Sequence, residues 1–398
     1  MVIINKHKKL KSVNFVSDRT IRIAPSGIRK FFDLLAGMEG VISLGIGEPD
    51  YTTPWHIREA AIHSIENGMT MYTSNSGMPE LRQELSRFLN KTYGLEYDPV
   101  SEMLITVGVS EALDLAMRAI LNPGDEVIMA DPHYVAYDAS VMLAEGVSVL
   151  VPTYESNNFE ISAADIESRI TDRTKAILLG YPSNPTGAVL EREKLEQIAD
   201  VARRYGLLVL SDEIYSRLVY GVEHTCFATL PDMKERTVFL SGFSKAYAMT
   251  GWRVGYAVGN KAIIGAMTKI HQYTIMSAPT MAQVAAIEAL KSGEEDVLEM
   301  VADYNKRRQF IVKGLNEIGM PCFEPRGAFY AFPSIKNTGM TSEEFSEKLL
   351  TEEKVAVVHG TAFGQSGEGY VRCCYATSLA DIEEALVRMR RFVERHRK

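Results

Sequence analysis

Residues 237–256 read TVFLSGFSKAYAMTGWRVGY. The run from Thr237 to Leu240 has the unbroken apolar character of a strand buried on both faces. Lys245 follows it almost at once, bracketed by small residues, and Arg253 lies eight positions further on. A buried ammonium is costly unless it is paired, neutralised or converted into another group. The lysine therefore points to chemistry at the end of a strand.

Outward from this stretch, short apolar runs recur: MLITV from 103, EVIMA from 126, VSVLV from 147, AILLG from 176, LLVLS from 207 and VGYAV from 254. Amphipathic stretches such as SEALDLAMRAIL and REKLEQIADVARRYG lie between them, the second ending in the helix-stopping Gly206. This rhythm predicts an α/β fold with a mainly parallel central sheet and crossover helices. Beyond Ser292 the pattern changes to charged helices and short strands around AFYAFPS and YVRCCYA, which predicts a second, smaller α+β domain. The expected division is an N-terminal segment 1–50 packing with the small domain, a large domain 51–292 and a small domain 293–398.

The chain has 398 residues, 46% of them hydrophobic and 24% charged, enough for a large core. A formal net charge of -8 argues against a nucleic-acid surface, which needs a basic face. The basic start MVIINKHKKLKSVNF holds only Val2 to Ile4 as an apolar piece, too short for a secretory signal. No apolar run approaches the ~20 residues of a membrane span. The four cysteines, Cys226, Cys322, Cys373 and Cys374, show no C-x-x-C spacing, which reads as a reducing, cytoplasmic setting. The eight histidines show no metal-binding spacing.

Ligands of open parallel sheets bind outside the carboxyl ends of the strands. Gly108, Val109 and Ser110 follow the first run; Asp131, His133 and Tyr134 the second; Asn184, in YPSNPTG, the fourth; Asp212 and Tyr215, in SDEIY, the fifth; Lys245 the sixth. Singly, most of these are helix caps, turn formers or packing residues. Together they place a phosphate cradle, an aromatic plane, an amide, a carboxylate, a phenol and an amine on one edge. Pyridoxal 5'-phosphate needs that set: a lysine for its aldehyde, a carboxylate for its ring nitrogen, and backbone N–H groups with an arginine for its phosphate.

With GIGEPD at 45–50, NPTG at 184–187, SDEIY at 211–215, the lysine stretch and YVRCCYA at 370–376 in order, the chain resembles the class I aminotransferases of PLP fold type I, from about Arg22 to the closing helix. The resemblance implies that Lys245 carries the cofactor and moves the substrate proton, and that Asp212 pairs with the ring nitrogen. Tyr215 and Asn184 would bind the ring oxygen, and Tyr134 would stack on the ring. Gly108, Val109, Ser110, Ser244 and Arg253 would hold the phosphate. Arg372 would grip the substrate α-carboxylate, a task suited to a planar guanidinium, with Gly47 beside it. Tyr72 matches a tyrosine that reaches the cofactor of a neighbouring subunit, implying a homodimer with shared sites. One position departs from the pattern: Gly242 stands where some relatives have a serine or threonine, with Ser241 and Ser244 on either side.

The expected partners are an amino acid and a 2-oxo acid in a ping-pong transamination, with no nucleic acid, membrane or metal. Aspartate or aromatic donors with 2-oxoglutarate are favoured over a larger donor such as an acylated diaminopimelate. A carbon-sulfur β-lyase of the same fold would keep every cofactor residue. A PLP-sensing regulator would need a DNA-binding module, for which the acidic chain leaves no room ahead of Ile42. In the stretch IAPSGIRKFFDLL, Ile23, Ser26, Arg29 and Lys30 are candidates for the substrate mouth.

Overall fold

The computed structural model describes residues 15–23 and 38–397. Ser26, Arg29 and Lys30 lie outside the described residues. The central sheet has seven strands: β1 (Met103–Thr106), β2 (Glu126–Asp131), β3 (Val147–Pro152), β4 (Thr174–Leu179), β5 (Leu208–Asp212), β6 (Thr237–Gly242) and β7 (Gly255–Val258). Their order across the sheet is β1-β7-β6-β5-β4-β2-β3. Every residue of β1, β6 and β7 is buried. That explains their continuous apolar runs, since a strand covered by helices on both faces has no polar side to alternate.

β2 to β6 run parallel, as the strand and helix rhythm predicts. β7 is reversed and pairs antiparallel with both β6 and β1. No helix intervenes between β6 and β7; the segment Phe243–Val254 turns back directly. The reversal puts the start of β7 at the same sheet edge as the end of β6. Lys245 and Arg253 therefore arrive at one place from one short segment, which accounts for their spacing.

Beyond the sheet, helix Glu294–Glu317 leads to short strands Tyr330–Ala331, Val358–His359 and Val371–Cys374, which pair antiparallel in a small sheet, and then to helix Leu379–His396. Ile42–Ser43 pairs parallel with Val355–Ala356, and Cys374 N–H donates to Leu44 O at 2.7 Å. A single apolar cluster contains Leu44, Leu85, Phe243, Tyr304, Phe345 and Phe392, so packing is continuous across position 292. Gly206 ends helix Arg192–Tyr205 in the left-handed region, φ +67°, as its place in the sequence implies. No described helix is long and apolar enough to cross a membrane.

Candidate active site

A cavity of about 530 Å³ opens at the carboxyl edge of the central sheet, roofed by Gly45–Glu48 and by Tyr330 and Arg372 from the small sheet. Val109, Ser110, Tyr134, Asn184, Asp212, Tyr215, Ser244, Lys245, Arg253, Gly47 and Arg372 all line it. Gly108 stands directly behind Arg253. Tyr72 does not reach the cavity and is 82% exposed.

Lys245 Nζ donates to Gly47 O at 2.7 Å. Burial lowers its pKa from the usual lysine range to about 8, and the Arg372 and Arg253 guanidiniums act in the same direction. At the end of β5, Asp212 is buried, and burial pushes its carboxyl up to about 6. Tyr137 Oη donates to Asp212 Oδ2 at 2.8 Å and Ile214 N–H to Oδ1 at 3.2 Å, which favour the charged form against that burial. A carboxylate so placed is poised to ionise fully once a cation sits beside it.

Arg372 is 2% exposed. Its Nη1 donates to Asn184 Oδ1 at 2.8 Å and its Nη2 to Gly45 O at 2.7 Å. The guanidinium lies over the rings of Tyr330 and Phe363, at 4.5 and 4.8 Å from their centroids. Nε is buried without a partner. An orphaned donor on a buried arginine that lines a cavity suits an incoming carboxylate. Because Asn184 gives its carbonyl oxygen to Arg372, its amide NH₂ remains the group it can offer elsewhere.

The cradle at the start of helix Gly108–Ile120 is built by close backbone approach. Gly108 has φ +74°, and a Cβ there would lie 2.6 Å from Arg253 Nη2. A Cβ on Gly255 would lie 2.7 Å from Val109 N. Arg253 is exposed, at φ +52°, and Nη1 donates to Thr250 O at 2.8 Å; among the described residues no carboxylate pairs with it. A helix N-terminus and an unpaired guanidinium at one point form an anion site. Tyr134 stands edge-on to Tyr137, with ring centroids 5.5 Å apart. Ser241 is turned away: its Oγ donates to Glu213 O at 3.1 Å, leaving Ser244 as the serine of this stretch at the cavity.

Sequence reasoning missed Tyr137 and Tyr330. Tyr137 lies one helical turn beyond Tyr134, so the spacing in PHYVAY carried a usable signal. Tyr330 lies in AFYAFPS, where nothing local separates it from its apolar neighbours. No group of three or more histidine, cysteine, aspartate or glutamate side chains among the described residues is arranged to hold a metal ion. The cavity thus combines an anion cradle, a buried carboxylate, a near-neutral amine and a carboxylate-seeking arginine, which fits an anionic cofactor with a basic ring and an amino-acid substrate.

Residues 39–389 match the family model of the class I and II aminotransferases. The Bacillus subtilis protein YugH is 57% identical over 96% of this chain and 99% of its own length. The aspartate aminotransferase of Pyrococcus abyssi is 46% identical over 94% of this chain and 97% of its own. Among solved structures, the aromatic aminotransferase from Pyrococcus horikoshii superposes with a TM-score of 0.88, at 43% identity, over 92% of this chain and 99% of that one. The chain belongs to the class I and II aminotransferases and has their fold type I architecture.

Proposed function

We propose that this aminotransferase holds pyridoxal 5'-phosphate in the cavity and moves the amino group of an aspartate or aromatic L-amino acid to a 2-oxo acid such as 2-oxoglutarate. The observation that carries the reading is the β6–β7 segment: it delivers a part-buried amine with a pKa near 8 and an unpaired arginine to the edge where Asp212 waits. The donor class is supported by the aspartate and aromatic aminotransferases among the relatives.

When bound, the cofactor supplies an aldehyde for the lysine amine and a protonated ring that draws electrons from the substrate α-carbon. Lys245 would hold and carry the proton of that carbon, a task that requires an amine able to shed its proton near neutral pH. Asp212, anchored by Tyr137, holds the proton of the ring nitrogen. Tyr215 and the Asn184 amide donate to the ring oxygen, and Tyr134 stacks on the ring. Arg253, Ser110, Ser244 and the N–H groups from Gly108 onward hold the phosphate. Arg372 takes the α-carboxylate that all donors share, with the Gly47 backbone beside it.

Tyr72 acts in the cavity of a second copy of the chain in this reading. It stands on an exposed apolar surface with Met71 and Tyr273, which are 80% and 83% exposed. The two segments are tied together by Thr280 Oγ1 donating to Met71 O and Asn75 Nδ2 to Met276 O, each at 2.7 Å. Light scattering should report a dimer; a fully active monomer contradicts the shared site.

The test of function is the visible spectrum of the cofactor-loaded protein before and after L-aspartate or L-tyrosine, with no 2-oxo acid present. Conversion of the band by either amino acid supports transamination by that donor. Pyruvate and ammonia released from L-cystathionine, whose β-thiol can leave, with no 2-oxo acid present would establish elimination instead. No band after cofactor addition overturns the cofactor assignment.

A further inference from the structure

Tyr330 touches three of the groups assigned above, although nothing in the sequence singles it out. It is 1% exposed, and its Oη lies 2.8 Å from Tyr215 Oη. Its ring carries the Arg372 guanidinium at 4.5 Å. A Cβ at position 47 would fall 2.6 Å from its Oη, so Gly47 leaves the room that this hydroxyl occupies. Gly47 O is in turn the acceptor of Lys245 Nζ.

We infer that Tyr330 is a positioning residue that joins the two ends of the active site: its hydroxyl orients Tyr215 toward the cofactor ring oxygen, and its ring orients Arg372 toward the substrate carboxylate. The inference rests on the function proposed above. A phenol that donates to ring oxygen must have its own oxygen free to accept, and Tyr330 is the donor within reach of Tyr215. Accepting that bond makes the Tyr215 O–H a stronger donor, because hydrogen bonds in a chain polarise one another. A stronger donor favours the form of the cofactor with negative charge on the ring oxygen. The ring acts separately: an aromatic face under a buried guanidinium attracts it and fixes its plane, while Asn184 and Gly45 fix its edge.

Two variants separate the two roles. In Tyr330→Phe the ring stays and the hydroxyl goes. The pH midpoint of the visible band of the loaded enzyme should move upward, with kcat several-fold lower and KM for the amino acid within about twofold of wild type. In Tyr330→Leu the ring goes as well, and KM should rise about tenfold for every donor alike. The double variant Tyr215→Phe/Tyr330→Phe should show the midpoint of Tyr215→Phe alone, because Tyr330 acts through Tyr215.

A Tyr330→Phe enzyme with wild-type midpoint and kcat would reduce the hydroxyl to packing and overturn the inference. Additive midpoint shifts in the double variant would also overturn it. Failure of the wild-type protein to form any visible band is a different result, and it strikes the proposed function rather than Tyr330.

Discussion

Asp212 and Glu213 are consecutive carboxylates at the end of one strand, and the sheet treats them in opposite ways. Glu213 points into the core at 1% exposed and is sealed there: it accepts from Ser211 Oγ at 2.9 Å and Phe227 N–H at 3.2 Å, and pairs with His224. Asp212 lines the cavity with two donors and capacity to spare. The same contrast separates two buried arginines. Arg308 is satisfied by Glu324, Pro325 O and Asn305, whereas Arg372 keeps an orphaned Nε. In these two pairs, the buried charge that only holds the fold has its bonds made, whereas the buried charge facing the cavity is left short by about one bond and keeps capacity for a ligand.

The largest effect should come from Lys245→Ala, which in the proposed function removes both cofactor attachment and proton transfer. Turnover is expected to fall by about 10⁴-fold or more, with the circular dichroism spectrum unchanged. Next, Asp212→Asn should lower kcat by roughly 10²-fold while leaving Tm nearly unchanged. The neighbouring Glu213→Gln should do the reverse, costing about 1–3 kcal/mol in a denaturant melt with kcat within a few-fold of wild type. Equal losses of activity in these two variants would falsify the contrast.

Gly108→Ala sharpens the comparison at the cradle. Its φ of +74° and the crowding against Arg253 Nη2 should cost about 1–2 kcal/mol of stability. Affinity for pyridoxal phosphate should fall as well, measured by titrating the cofactor-free protein. Unchanged affinity would mean that the cradle does not rely on this approach.

The smallest effect is a pH slope in the cofactor-free protein. Lys245 has a folded pKa of about 8, below its unfolded value of 10.5, so the unfolded chain binds more protons between them. Stability therefore gains a contribution as pH rises from about 8 towards 10 and loses it again as pH falls back through that window; below about 8 both states hold the proton and the contribution is flat. Subtracting melts of Lys245→Met from wild type across this window should leave a positive slope, at most about 1.4 kcal/mol per pH unit. A flat difference would mean that the lysine is hydrated when the cofactor is absent.

Much of this was legible in the sequence. Each run assigned to the central sheet became one of its strands, and their carboxyl ends gave the residues that converge on the cavity. The direction of β7 was not legible, because VGYAV has the same apolar character whichever way it runs. Only the absence of a helix between Gly242 and Gly255 hints at the turn back. Nor could SDEIY by itself say which carboxylate faces the ligand, since that depends on which face of the sheet carries the cavity. Tyr330 was invisible for a further reason: Arg372 meets it only through the pairing of strands Tyr330–Ala331 and Val371–Cys374, and Tyr215 only through the docking of that small sheet on the central one. Ser241 shows the opposite lesson, a plausible phosphate ligand by position whose hydroxyl is already bound to the backbone at Glu213.

The reversed strand β7 also sets an order of events. β1, which presents the phosphate cradle, has β7 as its sheet neighbour, and β7 is translated about 150 residues later, which makes this pairing the most non-local in the central sheet. During synthesis β1 has no strand partner in the sheet until β7 emerges, and the same stretch of translation brings out Lys245 and Arg253. An anion held between Gly108 and Arg253 can therefore act only on a nearly assembled sheet, as a clamp on the last pairing rather than a template for the first.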